Sequence, residues 1–331
     1  MTTYQRIVLA SRPKGAVVSS DFRLETQPLP DIADGQLLVR NHYLSLDPYM
    51  RMRITEARSY ADPQALDDVM IGGTAGEVIA SKHPKFSVGD KVVGMLGWSE
   101  IGVSDGTLLK KVDTAHIPLS AYLGAVGMPG MTAWYGVNKI IQPQPGQTIA
   151  VSAAAGAVGS VVGQLAKLHG CRVIGIAGGK KKCDYVVQEL GFDACVDYKG
   201  GDLFADMKAA APKGIDGLFE NVGGAVMDAA LARMNPFGRV ALCGMIAGYD
   251  GQMMPVHYLH MALSMRLTIQ GFIISEHMDL WPQGLTELGQ LVATGKLKYS
   301  ETIADGLAAA PDAFIGMLRG RNFGKQLVKL I

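Results

Sequence analysis

Residues 148–179, TIAVSAAAGAVGSVVGQLAKLHGCRVIGIAGG, decide the fold. TIAVSA reads as a strand, AVGSVVGQLAKLHG as a helix closed by Gly170, and CRVIGIA as a second strand. The turn between the first strand and the helix is Ala153-x-x-Gly156-x-x-Gly159, a variant of GxGxxG with Ala154 at the first glycine position. Gly156 lets the backbone approach a pyrophosphate, Gly159 lets helix and strand pack closely, and amides at the helix start face the phosphates. A Gly- and Ala-rich turn alone fits any α/β protein. The complete strand–turn–helix–strand context points to a dinucleotide.

The same rhythm continues downstream. KKCDYVVQELG, DLFADMKAAA and AVMDAALARM read as helices, and ACVDY, GIDGLFENV, GRVALCG and RLTIQGFII as strands, with a further helix around 279–294. Such alternation implies parallel strands with crossover helices, hence a doubly wound sheet. Residues 1 to about 120 differ: QLLVRNHYLSL, GEVIAS and DKVVGMLGW are short β-branched runs set between Gly, Pro and Asp turns, with no convincing helix. The tail, PDAFIGMLRG to GKQLVKLI, returns to one helix and a strand, and that strand can pair back onto the first domain.

An NAD-binding unit places an Asp or Glu about 20 residues beyond its glycines, on the adenosine ribose. Here the strand CRVIGIAGG ends without a carboxylate, and Lys180, Lys181 and Lys182 follow. An acid there would repel a 2′-phosphate, whereas an ammonium attracts it. A solvated first turn of the next helix is the plain alternative, yet lysines oppose the positive end of a helix dipole. The pattern favours NADP(H).

Composition excludes several classes. The chain has 331 residues, 48% apolar and 18% charged, with a formal net charge of +1, so no sustained basic face serves nucleic acid or a membrane surface. Cys171, Cys183, Cys195 and Cys243 form no CxxC pair and read as reduced intracellular thiols. The start, MTTYQRIVLASRPK, has too short an apolar run for a signal peptide, and no stretch is long enough to span a bilayer. A cytoplasmic protein is expected.

A β-rich domain ahead of a dinucleotide unit invites comparison with zinc alcohol dehydrogenases, which need three protein ligands and an open position. Residues 1–170 contain no cysteine, Asp47 stands where that family has its first Cys, and GGTAGEV lacks the His-Glu pair before its glycine. His257-x-x-His260 is the only close histidine pair and lies outside any ligand pattern. Without a Lewis acid, hydride addition to an activated C=C is easier than carbonyl reduction, because a few donors hold the developing enolate. No catalytic zinc is expected.

Six separated motifs now carry a resemblance: LSLDPYMR (44–51), MPGMTAWYG (128–136), AAAGAVGSVVGQLAK (153–167), ENVGG (220–224), CGMIAGY (243–249) and RNFGK (321–325). Together they resemble the zinc-independent medium-chain dehydrogenases/reductases of the leukotriene B4 dehydrogenase / prostaglandin reductase family, especially the bacterial NADPH-dependent curcumin and enone reductase type. The resemblance implies an α/β fold: a Rossmann-type doubly wound parallel sheet (125–299), plus a β-rich GroES-like N-terminal domain (1–124) completed by the C-terminal tail (300–331). It implies a homodimer, NADP(H) and no zinc, with a small α,β-unsaturated carbonyl substrate and neither nucleic-acid nor membrane partners.

By that resemblance Gly156, Ala157, Val158 and Gly159 hold the pyrophosphate, and Lys182 and Tyr198 the 2′-phosphate. Asn221, Cys243, Gly244 and Tyr249 border the nicotinamide half, Phe272, Ile273 and Ile274 line it, and Asn322 reaches the cofactor from the tail. Tyr49 projects into the cleft; with Tyr249 it is the catalytic candidate, though it reads equally as a packing tyrosine after Pro48. Lys180 and Lys181 depart from the family's less basic run. Met245, Met253, Met254, Met261 and Met265 read as adaptable packing. NADPH-dependent reduction of enones and enals is the expected activity; quinone reduction, or NADP sensing without turnover, stay open as alternatives.

Overall fold

The computed structural model describes residues 3–252 and 254–331; Met1, Thr2 and Met253 lie outside the described residues. The chain divides into two compact units, Met1–Gly124 with Glu301–Ile331, and Ala125–Ser300.

The first unit opens with an antiparallel hairpin, β1 (Thr3–Leu9) and β2 (Phe22–Pro28), that the sequence pattern does not reveal. Then come β3 (Leu37–Ser45), β4 (Thr74–Ser81), β5 (Lys91–Gly94), β6 (Ile101–Ser104) and β7 (Lys110–Lys111). They build a mostly antiparallel sheet around β3, which pairs with both β4 and β6. A single helical turn, α1 (Tyr49–Arg53), interrupts this β region just after Pro48. Pro48 cannot donate an amide, so it suits a helix start.

The second unit begins with α2 (Met128–Tyr135), which runs into a π-helical stretch at Gly136–Ile141. From there strand and helix alternate: β8 (Thr148–Ser152), α3 (Gly159–Leu168), β9 (Arg172–Ala177), α4 (Lys180–Gln188), β10 (Ala194–Asp197), α5 (Leu203–Ala210), β11 (Ile215–Glu220), α6 (Gly224–Leu231), β12 (Met234–Leu242), α7 (His260–Ser264), β13 (Thr268–Gly271) and α8 (Trp281–Ala293). The strands are parallel, in spatial order β10-β9-β8-β11-β12-β13. Numbered from β8, that is 3-2-1-4-5-6, the Rossmann order with its reversal between β8 and β11.

Side-chain alternation explains why helices cover both faces. Ile149, Val151, Val173 and Phe219 enter one apolar layer, whereas Ala150, Ile174, Leu218 and Val240 enter the other. Every residue of β8 is buried, as a central parallel strand requires. In α3, a Cβ on Gly163 would come within 1.8 Å of the Phe192 ring, so glycine there lets the helix close on the sheet.

The chain then returns to the first unit with β14 (Glu301–Asp305), α9 (Ala310–Leu318) and β15 (Lys325–Lys329). β15 lies inside the first sheet, parallel to β14 and antiparallel to β3, with Leu327 opposite Ser45. The tail therefore supplies two strands, not one. Beneath them Phe22 stacks on Trp98 at 5.3 Å and Phe314 meets Trp98 edge-on at 5.7 Å. Each such pair contributes about 0.5–1.5 kcal/mol beyond area burial.

Candidate functional site

Within the second unit, the predicted residues follow the carboxyl ends of all six parallel strands. Ala153–Gly159 follows β8, Gly178–Lys182 follows β9, and Tyr198 follows β10. Asn221 follows β11, Cys243–Tyr249 follows β12, and Phe272–Ile274 follows β13. The crevice at such strand ends, at the reversal of strand order, is where open α/β sheets bind ligands.

The turn after β8 is built for close approach. The Gly156 amide donates to Ala153 O at 2.9 Å and the Ser160 amide to Gly156 O at 3.0 Å. Among the described residues, the amides of Ala157, Val158 and Gly159 find no backbone acceptor, as expected for a helix start. A Cβ on Gly159 would stand 2.4 Å from Ala153 O, so only glycine fits. Ala153 itself takes the left-handed conformation with φ 50°, a strained choice for a residue bearing a Cβ.

At the ends of β9 and β10 the chain gathers positive charge. A Cβ on Gly178 would meet Tyr198 Oη at 2.8 Å and Lys199 Cε at 2.9 Å, so phenol and lysine stem both lie against that glycine. Asp197 Oδ1 accepts the amides of Gly179 at 2.7 Å and Lys199 at 2.9 Å, which ties the two strand ends together. Burial, and then the charge of Lys199, push the Lys182 ammonium below its ordinary range. Lys199 is therefore part of this cluster, and sequence reasoning missed it; its signal was its place directly after Tyr198. Lys180 is committed elsewhere: its Nζ pairs with Asp184 Oδ2 at 2.6 Å, one turn along α4.

At the end of β11 a buried acid organises two loops. Glu220 Oε1 accepts Ser152 Oγ–H at 3.0 Å and the amides of Val222 at 2.6 Å and Gly223 at 2.7 Å. Its Oε2 is buried with no hydrogen-bond partner among the described residues. Burial outweighs those donors and pushes the carboxyl above the usual carboxylate range. Ser152 Oγ in turn accepts the Asn221 amide at 2.7 Å, and Asn221 Nδ2 donates to Ser152 O at 2.8 Å. Asn221 is thus held from both ends. The 243–249 loop is stitched to the same segment, the Cys243 amide donating to Glu220 O at 2.9 Å and the Ile246 amide to Asn221 O at 3.2 Å. Tyr249 Oη lies over Gly244, where a Cβ would approach it to 3.2 Å. Burial and the Glu220 charge push the Cys243 thiol up to about 12, which makes it inert at neutral pH.

Phe272 packs more firmly than a lining residue needs, its ring 5.3 Å from Tyr135 and 6.2 Å from Phe219, while Ile274 is buried. Met245 and Met254 pack where Gly223 and Gly224 leave room.

In the first unit, Tyr49 is the first residue of α1 and half-buried. Burial, and then the charge of Asp47, raise its phenol well above the ordinary tyrosine value. Asp47 receives Lys325 Nζ at 2.6 Å, and its other oxygen accepts Ser45 Oγ–H. Lys325 Nζ also donates to Leu46 O at 2.7 Å. Asn322 Nδ2 is turned to Gly324 O at 2.9 Å. Among the described residues no group of three or more His, Cys, Asp or Glu is placed to hold a metal ion. No helix among them is long and apolar enough to cross a membrane.

The second unit fits a dinucleotide on its own geometry. Gly156 and Gly159 keep the turn beside the open amides of 157–159 free of side chains, an arrangement suited to a pyrophosphate, and Lys182, Tyr198 and Lys199 are donors suited to a phosphate at the β9 end.

Comparison with known proteins agrees. One family model, described as the N-terminal domain of oxidoreductase, matches residues 5–112, and another, described as zinc-binding dehydrogenase, matches 157–290. The chain is 43% identical to the NADPH-dependent curcumin reductase of Escherichia coli (strain K12), over 98% of this chain and 96% of that protein. It is 40% identical to the NADP(+)-dependent 2-alkenal reductase of Nicotiana tabacum, again over 98% and 96%. Among solved structures it is similar to CurA in complex with NADPH from Vibrio vulnificus, with a TM-score of 0.95, 44% identity and 99% of each chain covered.

Proposed function

Because the chain belongs to the zinc-independent medium-chain reductases of the leukotriene B4 dehydrogenase / prostaglandin reductase family, we propose that it uses NADPH to reduce the carbon–carbon double bond of α,β-unsaturated ketones and aldehydes. The observation that carries the cofactor reading is that Tyr198 and Lys199 lie against Gly178, with the Lys182 ammonium near enough to feel the Lys199 charge, while the strand β9 itself ends without a carboxylate. When bound, NADPH supplies the hydride that adds to the β-carbon.

The chain's own residues have three tasks. Lys182, Tyr198 and Lys199 hold the 2′-phosphate, and Gly156, Ala157, Val158 and Gly159 receive the pyrophosphate on backbone amides. Asn221, Cys243, Gly244 and Tyr249 border the nicotinamide, with Phe272, Ile273 and Ile274 lining it and Asn322 reaching the cofactor from the tail. Tyr49 donates a hydrogen bond to the enolate oxygen that develops when the β-carbon is reduced. Since Tyr49 keeps its proton far above neutral pH, it serves as a lasting donor, and solvent supplies the proton at the α-carbon. A cytoplasmic homodimer, built of GroES-like and Rossmann domains at 1–124 with 300–331 and at 125–299, completes this reading.

The test is an NADPH-consumption screen over enals, enones and quinones, with NADH in parallel and product analysis for the saturated C–C bond. Saturated products with NADPH preferred are expected. Tight NADPH binding without consumption across the panel would overturn the enzymatic reading. In Lys182→Ala the KM for NADPH should rise about 10- to 100-fold, the size of a lost charge-assisted contact, with little change for NADH. An unchanged cofactor preference would remove Lys182 from the site.

A further inference from the structure

Two free cysteines stand at the phosphate end of the parallel sheet. Cys183 is the fourth residue of α4, directly after Lys182, and Cys195 lies on β10, three residues before Tyr198. Their sulfurs are 2.8 Å apart, the Cys195 thiol donating to Cys183 Sγ, and both side chains are half-buried. A disulfide spans about 2.0 Å, so the pair lies less than roughly 1 Å from bonding. The remaining cysteines, Cys171 and Cys243, follow different strand ends or turns and have no thiol partner among the described residues.

We propose that Cys183 and Cys195 are a disulfide-forming pair, oxidised by a peroxide, whose cross-link loosens the grip of Lys182, Tyr198 and Lys199 on the 2′-phosphate of NADPH. The second half rests on the cofactor reading above; the first does not. Burial raises both thiols, but the hydrogen bond from Cys195 favours the Cys183 thiolate and disfavours its own, so of the two Cys183 ionises first and attacks one peroxide oxygen. The O–O bond breaks, the leaving oxygen departs as water with the thiol proton, and Cys183 becomes a sulfenic acid. Cys195 sulfur then attacks Cys183 sulfur, the S–O bond breaks, and a second water leaves with the Cys195 proton. Two electrons pass from the sulfurs to the peroxide. A disulfide imposes a dihedral near ±90°. The cross-link ties the first turn of α4 to β10; Lys182 lies on that turn and Tyr198 directly follows β10, so a shift of either segment as the bond forms reaches the phosphate donors.

The experiment uses the full chain, reduced and then treated with hydrogen peroxide. Mass spectrometry of the alkylated protein and its peptides reads the cross-link, and fluorescence titration reads the Kd for NADPH and for NADH. Expected are the loss of two hydrogen masses, a peptide joining Cys183 to Cys195, and an NADPH Kd raised about 3- to 10-fold. NADH affinity should stay unchanged, and dithiothreitol should restore the NADPH value. Cys183→Ser and Cys195→Ser should each lose the peroxide response. Absence of this cross-link, or its formation through Cys171 or Cys243, would overturn the site. A formed cross-link with NADPH affinity unchanged, or with NADPH and NADH weakened alike, would overturn the coupling. Lys182→Ala separates the two readings, because it leaves the mass measurement untouched.

Discussion

Asp47 in the first unit and Glu220 in the second are carboxylates buried at nearly the same depth, 4% and 0% exposed, yet they are handled in opposite ways. Asp47 is paired with Lys325 on a strand 278 residues away, whose ammonium burial pushes below its ordinary range against the pull of Asp47. Glu220 has no cation partner among the described residues and relies on neutral donors from Ser152, Val222 and Gly223, leaving one oxygen bare and its proton held more tightly. Each acid lies beside a candidate residue: Asp47 sits two residues before Tyr49, and Glu220, one residue before Asn221, holds the Ser152 that binds Asn221. An ion pair fixes a chain position but is brittle when one partner is lost. A nest of amides shapes loops and leaves the acid responsive to pH.

The sharpest way to break this contrast is Lys325→Met. Stranding Asp47 as an uncompensated buried charge should cost about 3–5 kcal/mol in chemical denaturation. Adding Asp47→Asn to it should recover much of that loss, and a single variant within 1 kcal/mol or so of wild type would mean that the pair is not holding the site. Tyr49→Phe keeps the packing and removes the donor. We expect kcat on enones to fall on the order of 100-fold with stability unchanged, as for loss of one oxyanion donor.

In the second unit Ser152→Ala deletes a donor to Glu220 and an acceptor for the Asn221 amide. It should cost about 1–3 kcal/mol in denaturation and raise the KM for NADPH more than it changes kcat. The smallest effect concerns pH. Because the folded Glu220 carboxyl holds its proton above the ordinary range, its contribution to stability is complete below about pH 4.5. It is lost as pH rises through the folded value. The unfolding free energy of wild type relative to Glu220→Gln should therefore decline from pH 4.5 upward, at no more than about 1.4 kcal/mol per pH unit. A flat difference would show that Glu220 is ionised when buried.

Legibility in the sequence followed contact range. The Ala153–Gly159 turn and the strand–helix alternation are local patterns, and the parallel sheet came with them, whereas its strand order is seen only in the structure. β14 escaped because ETIAD begins and ends in charge and earns its place only by pairing with β15. The π-helical Gly136–Ile141 escaped because Gly, Val, Asn and Ile carry no helix signal; packing of Phe219 against Gly136 holds it. Lys199 was overlooked because its role depends on Gly178 lying beneath it. The Ser152–Glu220 and Asp47–Lys325 contacts join residues 68 and 278 positions apart, a range at which no periodicity speaks.

The insertion of β15 between β14 and β3 has a consequence for synthesis on the ribosome. Residues 125–300 are complete and free to fold before Lys325 exists, whereas Asp47 waits for its counter-charge through 278 further residues. At about 5–20 residues per second that delay is roughly fifteen to sixty seconds. Through it the first sheet exposes the β3 edge that β15 will fill, so this unit, although made first, should be the last to become protease-resistant on the emerging chain.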